Sequence, residues 1–141
     1  MAAVSMNHVG LCVTDLERSR RFYEQALGFR FERSIQPPDG VCSTLLGVDL
    51  PVGLTAVYLT NGGFVLELLQ FERPGNPASR RRPMNEPGLT HLSVSTPDLA
   101  ATVALVPTLG GQVLGETDVG AAVMIRDPDG QLLELLPAAA S

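Results

Sequence analysis

The sequence contains no lysine, because all ten of its basic residues are arginine. Schiff-base chemistry and other catalysis by a lysine amine are therefore excluded. Acidic residues are in excess, and the formal net charge of −5 offers no broad basic face for nucleic acid or an anionic membrane. We therefore expect a small molecule as the ligand, and neither nucleic acid nor membrane as a partner.

Long apolar runs are also missing. None approaches the roughly 20 residues that a membrane span requires, and the N-terminal MAAVSMNHVG lacks the charged start and long apolar core of a signal peptide. Cys12 and Cys42 are too few for a secreted disulfide scaffold, so reduced thiols are expected. We expect a soluble, cytoplasmic protein whose 141 residues form a single domain.

What the sequence does contain is an internal repeat. HVGLCVTDL, which begins at His8, aligns with HLSVSTPDL, which begins at His91. GFVLELL, from Gly63, aligns in the same way with GQLLELL, from Gly130. A helix-length segment follows each Asp-Leu pair, so each copy reads as a strand, a helix and then three strands.

The repeat predicts the organisation of the single domain, residues 1–141. An N-terminal βαβββ module at 6–70 and a C-terminal βαβββ module at 88–137 are joined by a linker at 71–87 that is rich in Pro, Arg and Asn. The predicted strands after each helix are RFERSIQ, TAVYLTN and FVLELLQF in the first copy, and GQVLGET, AAVMIRD and QLLELLP in the second.

Both helices have recognisable ends. Thr14-Asp15-Leu16 can cap the first helix, and Gly28 closes it. Thr96-Pro97-Asp98 opens the second helix, which Pro107 must end or kink. The composition of the segment between the last two strands, Arg126 to Gly130, indicates a tight turn.

Two histidines and two glutamates occupy equivalent places in the repeat, and the chain has no other histidine. Strand alternation gives both histidines small neighbours on their face and both glutamates apolar ones. Singly, each is more simply a strand-end histidine or an exposed edge glutamate. An ionised carboxylate among apolar side chains needs a compensating charge, however, and a divalent cation supplies it. Together they predict one metal site, with the ligands His8, Glu67, His91 and Glu134.

A run of three arginines, Arg80-Arg81-Arg82, lies in the predicted linker. Planar guanidinium groups are suited to clamping a phosphate or carboxylate of an anionic substrate. The flanking prolines are more typical of an exposed, solvated loop. Both interpretations stay open at the level of sequence.

The order and spacing of the four predicted ligands, with the segments DLERSRRFYEQALGF and DPDGQLLELL, resemble the vicinal oxygen chelate superfamily from Met6 to Pro137. That group includes glyoxalase I, methylmalonyl-CoA epimerase, extradiol dioxygenases, and fosfomycin and bleomycin resistance proteins. The resemblance implies an α+β fold in which tandem βαβββ modules form a curved mixed sheet cup. It also implies one divalent ion (Ni, Co, Mn, Fe or Zn, not distinguished) and a homodimer with paired or exchanged halves.

The identity of the residue at Glu67 bears on the reaction. Glyoxalase I has glutamate there, methylmalonyl-CoA epimerase usually glutamine, and extradiol dioxygenases no fourth ligand. The resemblance therefore implies a metal-dependent, glyoxalase-like lyase or isomerase that chelates two adjacent oxygens of a small substrate, with Glu67 or Glu134 transferring a proton. A ring-cleaving Fe(II) dioxygenase using His8, His91 and Glu134 is one alternative, and an antibiotic-binding or resistance protein is another.

The sequence departs from glyoxalase I at two positions. That enzyme has an arginine four residues after the first histidine and an asparagine four after the first glutamate, whereas this chain has Cys12 and Phe71. The partners for the carboxylates and amide of glutathione are therefore missing, and a more apolar surrounding is expected.

Overall fold

The computed structural model describes residues 2–75 and 82–139. Eight strands are present in this part of the chain: β1 Val9–Cys12, β2 Arg30–Ile35, β3 Thr55–Asn61, β4 Phe64–Gln70, β5 Leu92–Thr96, β6 Gln112–Leu114, β7 Val123–Arg126 and β8 Leu132–Pro137. The helices are α1 Leu16–Arg21, α2 Asp39–Leu46 and α3 Leu99–Thr108, together with a π-helix at Phe22–Ala26 and a 3-10 helix at Gly115–Thr117. None of the described helices is long and apolar enough to cross a membrane.

The described residues fall into two compact units with the same sheet topology. The first unit contains the chain up to Glu17 and Gly28–Pro74; the second contains Arg18–Leu27 and the chain from Gly75 onward. The strand orders are β1-β4-β3-β2 and β5-β8-β7-β6. In both sheets the first strand runs parallel to the last, and the other neighbours are antiparallel. The predicted α+β class and βαβββ order are confirmed, whereas the division into modules and linker stays a prediction.

The first helical segment belongs to the second unit for most of its length. The segment changes from α to π geometry at Phe22. Gly28 ends it as predicted, with a positive φ of 71° that glycine adopts readily. Phe22 and Tyr23 are fully buried. The π-helical turn packs against α3, so burial of these two aromatic rings secures the segment within the second unit.

α2 is an element that sequence reasoning missed. It follows Pro38, and Gly47 closes it in the left-handed conformation with φ of 68°. Asp39 accepts hydrogen bonds from the backbone N–H groups of Val52 and Gly53, both at 3.0 Å. Cys42 is buried against Val52 and Leu54, and neither described cysteine is in a disulfide.

The second unit confirms the predicted start and end of its helix and differs from the sequence prediction in the length of one strand. Asp98 caps α3 by accepting from the N–H of Ala101 at 2.9 Å, and Pro107 sits inside its last turn, so the helix ends one residue after the proline. The predicted strand GQVLGET is too long, because β6 stops at Leu114. Thr117 then folds back, accepting from the N–H of Met124 at 2.8 Å, and the chain forms a 3-10 turn there instead.

Candidate metal centre

The first unit brings one predicted ligand pair into contact. His8 immediately precedes β1, and Glu67 on β4 is paired with Gly10. His8 Nε2 lies 2.8 Å from Glu67 Oε2. A Cβ atom at Gly10 would lie 3.9 Å from that same oxygen and 3.3 Å from Leu69 Cδ1. A side chain here would crowd Leu69 first, and the glycine leaves the space beside the carboxylate unfilled.

The other ring nitrogen of His8 is also engaged. Nδ1 lies 2.6 Å from Asn7 Oδ1. Nε2 faces the Glu67 carboxylate, and either an N–H group on Nε2 or a metal ion bound between the two groups is compatible with this contact. Two ligand atoms about 2.1 Å from one ion, at a right angle, are themselves about 3 Å apart. The His8–Glu67 pair therefore fits two neighbouring positions in the coordination shell of one ion.

Tyr58 holds the remaining oxygen of Glu67. Its hydroxyl donates to Glu67 Oε1 at 3.1 Å, and its ring meets the His8 ring edge-on at 5.6 Å between centroids. Burial raises the pKa of the Tyr58 hydroxyl, the hydrogen bond to Glu67 and its charge raise it further, and the Arg33 charge opposes them. The phenol is therefore a protonated donor at neutral pH, and it fixes the orientation of the carboxylate.

The equivalent pair in the second unit has the same register and different contacts. His91 immediately precedes β5, and Glu134 on β8 is paired with Ser93. Ser93 Oγ donates to Glu134 Oε1 at 2.9 Å, while His91 Nδ1 lies 2.8 Å from Thr90 Oγ1. Within the described chain no hydrogen bond or ion pair joins His91 to Glu134. In both units a side chain of the preceding residue engages Nδ1, so a metal ion would have to bind each histidine through Nε2.

The predicted four-residue site stays a prediction. In residues 2–75 and 82–139, no three His, Cys, Asp or Glu side chains are grouped so that they could hold a metal ion. Arg80 and Arg81 lie outside the described residues. The Arg82 guanidinium donates to the backbone carbonyls of Glu86 and Leu89, so it is engaged within its own loop.

Sequence reasoning missed Tyr58 and Arg33, although a signal for the first was present. Asn61-Gly62-Gly63 is a short hairpin turn, and a turn of this kind fixes the register of its two strands. Counting outward from the Asn61–Phe64 pair places Tyr58 directly opposite Glu67, as observed. No such signal was present for Arg33, because its position beside Tyr58 depends on an irregularity in β2 that no turn motif indicates. Its guanidinium carbon lies 4.2 Å from the centre of the Tyr58 ring.

Comparison with known proteins agrees with this topology. Residues 5–135 match the Glyoxalase/Bleomycin resistance protein/Dioxygenase superfamily. The chain belongs to this superfamily, which confirms the resemblance seen in the sequence.

Individual relatives bear glyoxalase names. A lactoylglutathione lyase from Pseudomonas aeruginosa is 31% identical over 143 aligned positions, covering 94% of this chain and 81% of that protein. A glyoxalase family protein from Bacillus cereus matches with a TM-score of 0.81 at 19% identity, over 99% of this chain and 97% of that one. The trypanothione-dependent glyoxalase I of Leishmania major gives a TM-score of 0.65 at 26% identity, over 96% and 87%. The Pseudomonas and Leishmania proteins support a glyoxalase-like protein, and the Bacillus protein shows the shared fold.

Proposed function

We propose that this protein is a metal-dependent, glyoxalase-like lyase or isomerase, in which one divalent ion is bound by His8, Glu67, His91 and Glu134. The observation that carries the proposal is the identical register of the two pairs. In each unit the histidine lies two residues before the position paired with the glutamate, at Gly10 and at Ser93. Residues two apart on a strand share a face, so each pair points to one side of its sheet.

Nitrogen and oxygen donors of this kind suit a six-coordinate divalent ion. When bound, the ion supplies Lewis-acid polarisation of two adjacent substrate oxygens, a hydroxyl and a carbonyl. The chain supplies the proton transfer: a glutamate removes the proton from the carbon bearing the hydroxyl and returns it to the neighbouring carbon. Glu67 and Glu134 are the two candidates for this base. Tyr58 orients Glu67, and Ser93 orients Glu134.

The proposed substrate is a small oxygenated compound other than a glutathione adduct. Cys12 is paired with Leu69, two residues beyond the Gly10–Glu67 pair on the same face of the sheet. Phe71, which immediately follows β4, packs with Leu69 against the buried cluster of Cys42, Val52 and Leu54. These apolar groups offer no partner to the charged ends of glutathione. The 2.8 Å contact of Glu67 with His8 also counts against a dioxygenase triad that leaves Glu67 as a bystander.

Bound-metal stoichiometry tests the proposal. We expect one Ni²⁺, Co²⁺, Mn²⁺, Fe²⁺ or Zn²⁺ per set of four ligands in protein purified without chelator. Glu67→Gln keeps the shape but removes a ligand charge, so occupancy at limiting metal should fall. Glu116→Gln, the same change at an exposed residue, is the matched control and should not lower it. Equal occupancy of wild type and Glu67→Gln would contradict the four-ligand site.

We further propose a homodimer, since β2 and β6 are edge strands and proteins of this class cover such edges by association. Mixing Glu67→Gln chains with Glu134→Gln chains distinguishes the two arrangements of ligand pairs. If a site takes one pair from each chain, half of the mixed dimers' sites are intact and metal binding returns. If both pairs come from one chain, every site stays impaired. Sedimentation showing only monomer at micromolar concentration would contradict the dimer.

A further inference from the structure

Four residues form a straight row across the sheet of the first unit. Arg33 on β2 is paired with Tyr58 on β3, Tyr58 with Glu67 on β4, and Glu67 with Gly10 on β1. Directly paired residues of neighbouring strands project from the same face. A guanidinium, a phenol, a carboxylate and an open position therefore lie side by side.

A β-bulge puts the arginine in this row. Phe31 is paired with Leu59, and an unbroken antiparallel register would next pair Glu32 with Tyr58. The register shifts between Phe31 and Arg33, so Arg33 takes that place instead. Bulges are common beside functional sites because they re-aim a side chain. Here the bulge puts a positive charge, rather than a second carboxylate, in the row that holds Glu67.

The Arg33 side chain is anchored and still has donors to offer. Its guanidinium carbon lies 4.2 Å from the centre of the Tyr58 ring, a cation–π contact that fixes its position without using its N–H groups. Among the described residues, no carboxylate forms an ion pair with Arg33. The carboxylate of Glu67 is already engaged by Tyr58 and His8. An exposed guanidinium in this state presents a two-pronged donor suited to planar or tetrahedral oxyanions.

We propose that Arg33, held on the Tyr58 ring, binds an anionic group of the substrate, a carboxylate or a phosphate. This inference rests on the proposed function and narrows its substrate to a 2-hydroxycarbonyl compound that carries a negative charge. The corresponding row of the second unit is Leu114, Met124, Glu134 and Ser93, which contains no cation. The binding site for the anionic group of the substrate is therefore assigned to the first unit.

Three probes share a hydroxyl next to a carbonyl and differ in charge: hydroxyacetone is neutral, hydroxypyruvate has a carboxylate, and dihydroxyacetone phosphate has a phosphate. Their dissociation constants are to be measured by titration calorimetry on the full chain, with and without added Mn²⁺. We expect at least one anionic probe to bind more tightly than hydroxyacetone. The preferred anion identifies carboxylate or phosphate as the natural group.

Arg33→Gln should weaken binding of the preferred anionic probe by about tenfold, the value of one charged hydrogen-bonding contact at an exposed site, and should leave hydroxyacetone binding unchanged. Arg33→Lys keeps the charge but lacks the two-pronged guanidinium geometry. Its affinity for the anionic probe should therefore lie between those of wild type and Arg33→Gln. Arg21→Gln, the same loss of charge at an exposed position of α1, is the control and should match wild type.

Several results would overturn the assignment. These are equal affinity for neutral and anionic probes, no detectable anion binding at millimolar concentration, a loss below about twofold in Arg33→Gln, or an equal loss in Arg21→Gln. Metal stoichiometry is measured without any organic ligand, so it tests the proposed function alone. Failure of the metal site with persisting, Arg33-dependent anion binding would thus be distinguishable from failure of the anion site.

Discussion

The two units share a backbone plan and differ in what surrounds each glutamate. In both units a histidine immediately precedes the first strand, and the glutamate lies on the strand that runs parallel to that first strand. The register of this strand pair is the same in both units. Glu67 lies between a tyrosine and a glycine, whereas Glu134 lies between a methionine and a serine. Glu67 therefore contacts its histidine, while Glu134 bonds to the serine instead. The repeat fixes where the carboxylates lie, and the paired neighbours decide what each can bind.

The hairpins that lead into the two glutamate strands differ as well. The first turn is Asn61-Gly62-Gly63, whereas the second carries Asp127, which is only 3% exposed. Asp127 accepts from the Tyr23 hydroxyl at 2.8 Å and from the N–H groups of Asp129 and Gln131 at 2.9 and 2.8 Å. Burial raises the pKa of Asp127, and these three hydrogen bonds oppose the rise. The second hairpin is thus tied to the π-helical turn through a buried carboxylate.

Turnover should separate the two glutamates most strongly. If one of them is the base, its change to Gln should lower the rate with a 2-hydroxycarbonyl substrate by roughly 10²- to 10⁴-fold even at saturating metal. The other variant should lose metal affinity and recover its rate as metal is added. Steady-state rates of Glu67→Gln and Glu134→Gln across a metal titration make the comparison. Full recovery of both variants at high metal would show that neither glutamate transfers the proton.

The buried carboxylate should make stability depend on Tyr23. Tyr23→Phe removes a hydrogen bond from buried Asp127 and should lower the free energy of unfolding by about 1–3 kcal/mol. Because Asp127 has a raised pKa when folded, the folded state holds its proton more tightly, and stability falls as pH rises from about 3.9 through the folded value. Loss of the Tyr23 bond raises that pKa further, so the deficit should be larger at neutral pH than at acid pH.

Urea unfolding of wild type and Tyr23→Phe at about pH 4 and about pH 7 measures this difference across the range where the carboxyl group ionises. The Asp127→Asn background is the control, since without a carboxyl group the effect of Tyr23→Phe should lose its pH dependence. A deficit that is the same at both pH values in the wild-type background would contradict the role given to Asp127.

Tyr58 is where the proposed ligand pairs of the two units differ in their surroundings. Tyr58→Phe removes the hydrogen bond that orients Glu67 but keeps the ring, so metal affinity should fall by about tenfold, at the low end of what partners of metal ligands contribute. Met124 is paired with Glu134 in the same way, and Met124→Leu, the matched control, should change affinity little. Competition for metal with a chelating dye measures the metal affinity of each variant. Equal effects of the two substitutions would contradict the proposed difference between the two units.

The smallest effect is expected at Ser93. Ser93→Ala deletes the hydroxyl bonded to Glu134, an exposed contact contributing about 0.5–1 kcal/mol, so metal affinity should change by only about two- to fivefold. We expect weaker binding, because the serine hydroxyl orients Glu134 as the Tyr58 hydroxyl orients Glu67. Tighter binding would instead show that Ser93 draws the carboxylate away from the metal, and it would contradict that role.

Much of this fold was predictable, because the repeat is strongly patterned. The strands at 55–61 and 64–70 are predicted by the repeat, and their register follows from the glycine turn between them. α2 was missed because it is a single short helix after two prolines, stabilised by Asp39 and buried Cys42, contacts that appear only after folding. The bulge in β2 was missed because it depends on which ladder hydrogen bonds are broken, and residue type alone does not reveal that.

That bulge makes the charge beside Tyr58 a matter of strand register as well as of residue identity. Glu32 and Arg33 are adjacent in the chain and opposite in charge, and the pleat offers only one of them to this face. If the register continued unbroken from the Phe31–Leu59 pair, Glu32 would lie opposite Tyr58, and the charge at this position would be reversed without any substitution. The bulge therefore decides the sign of the charge that this row presents to a ligand.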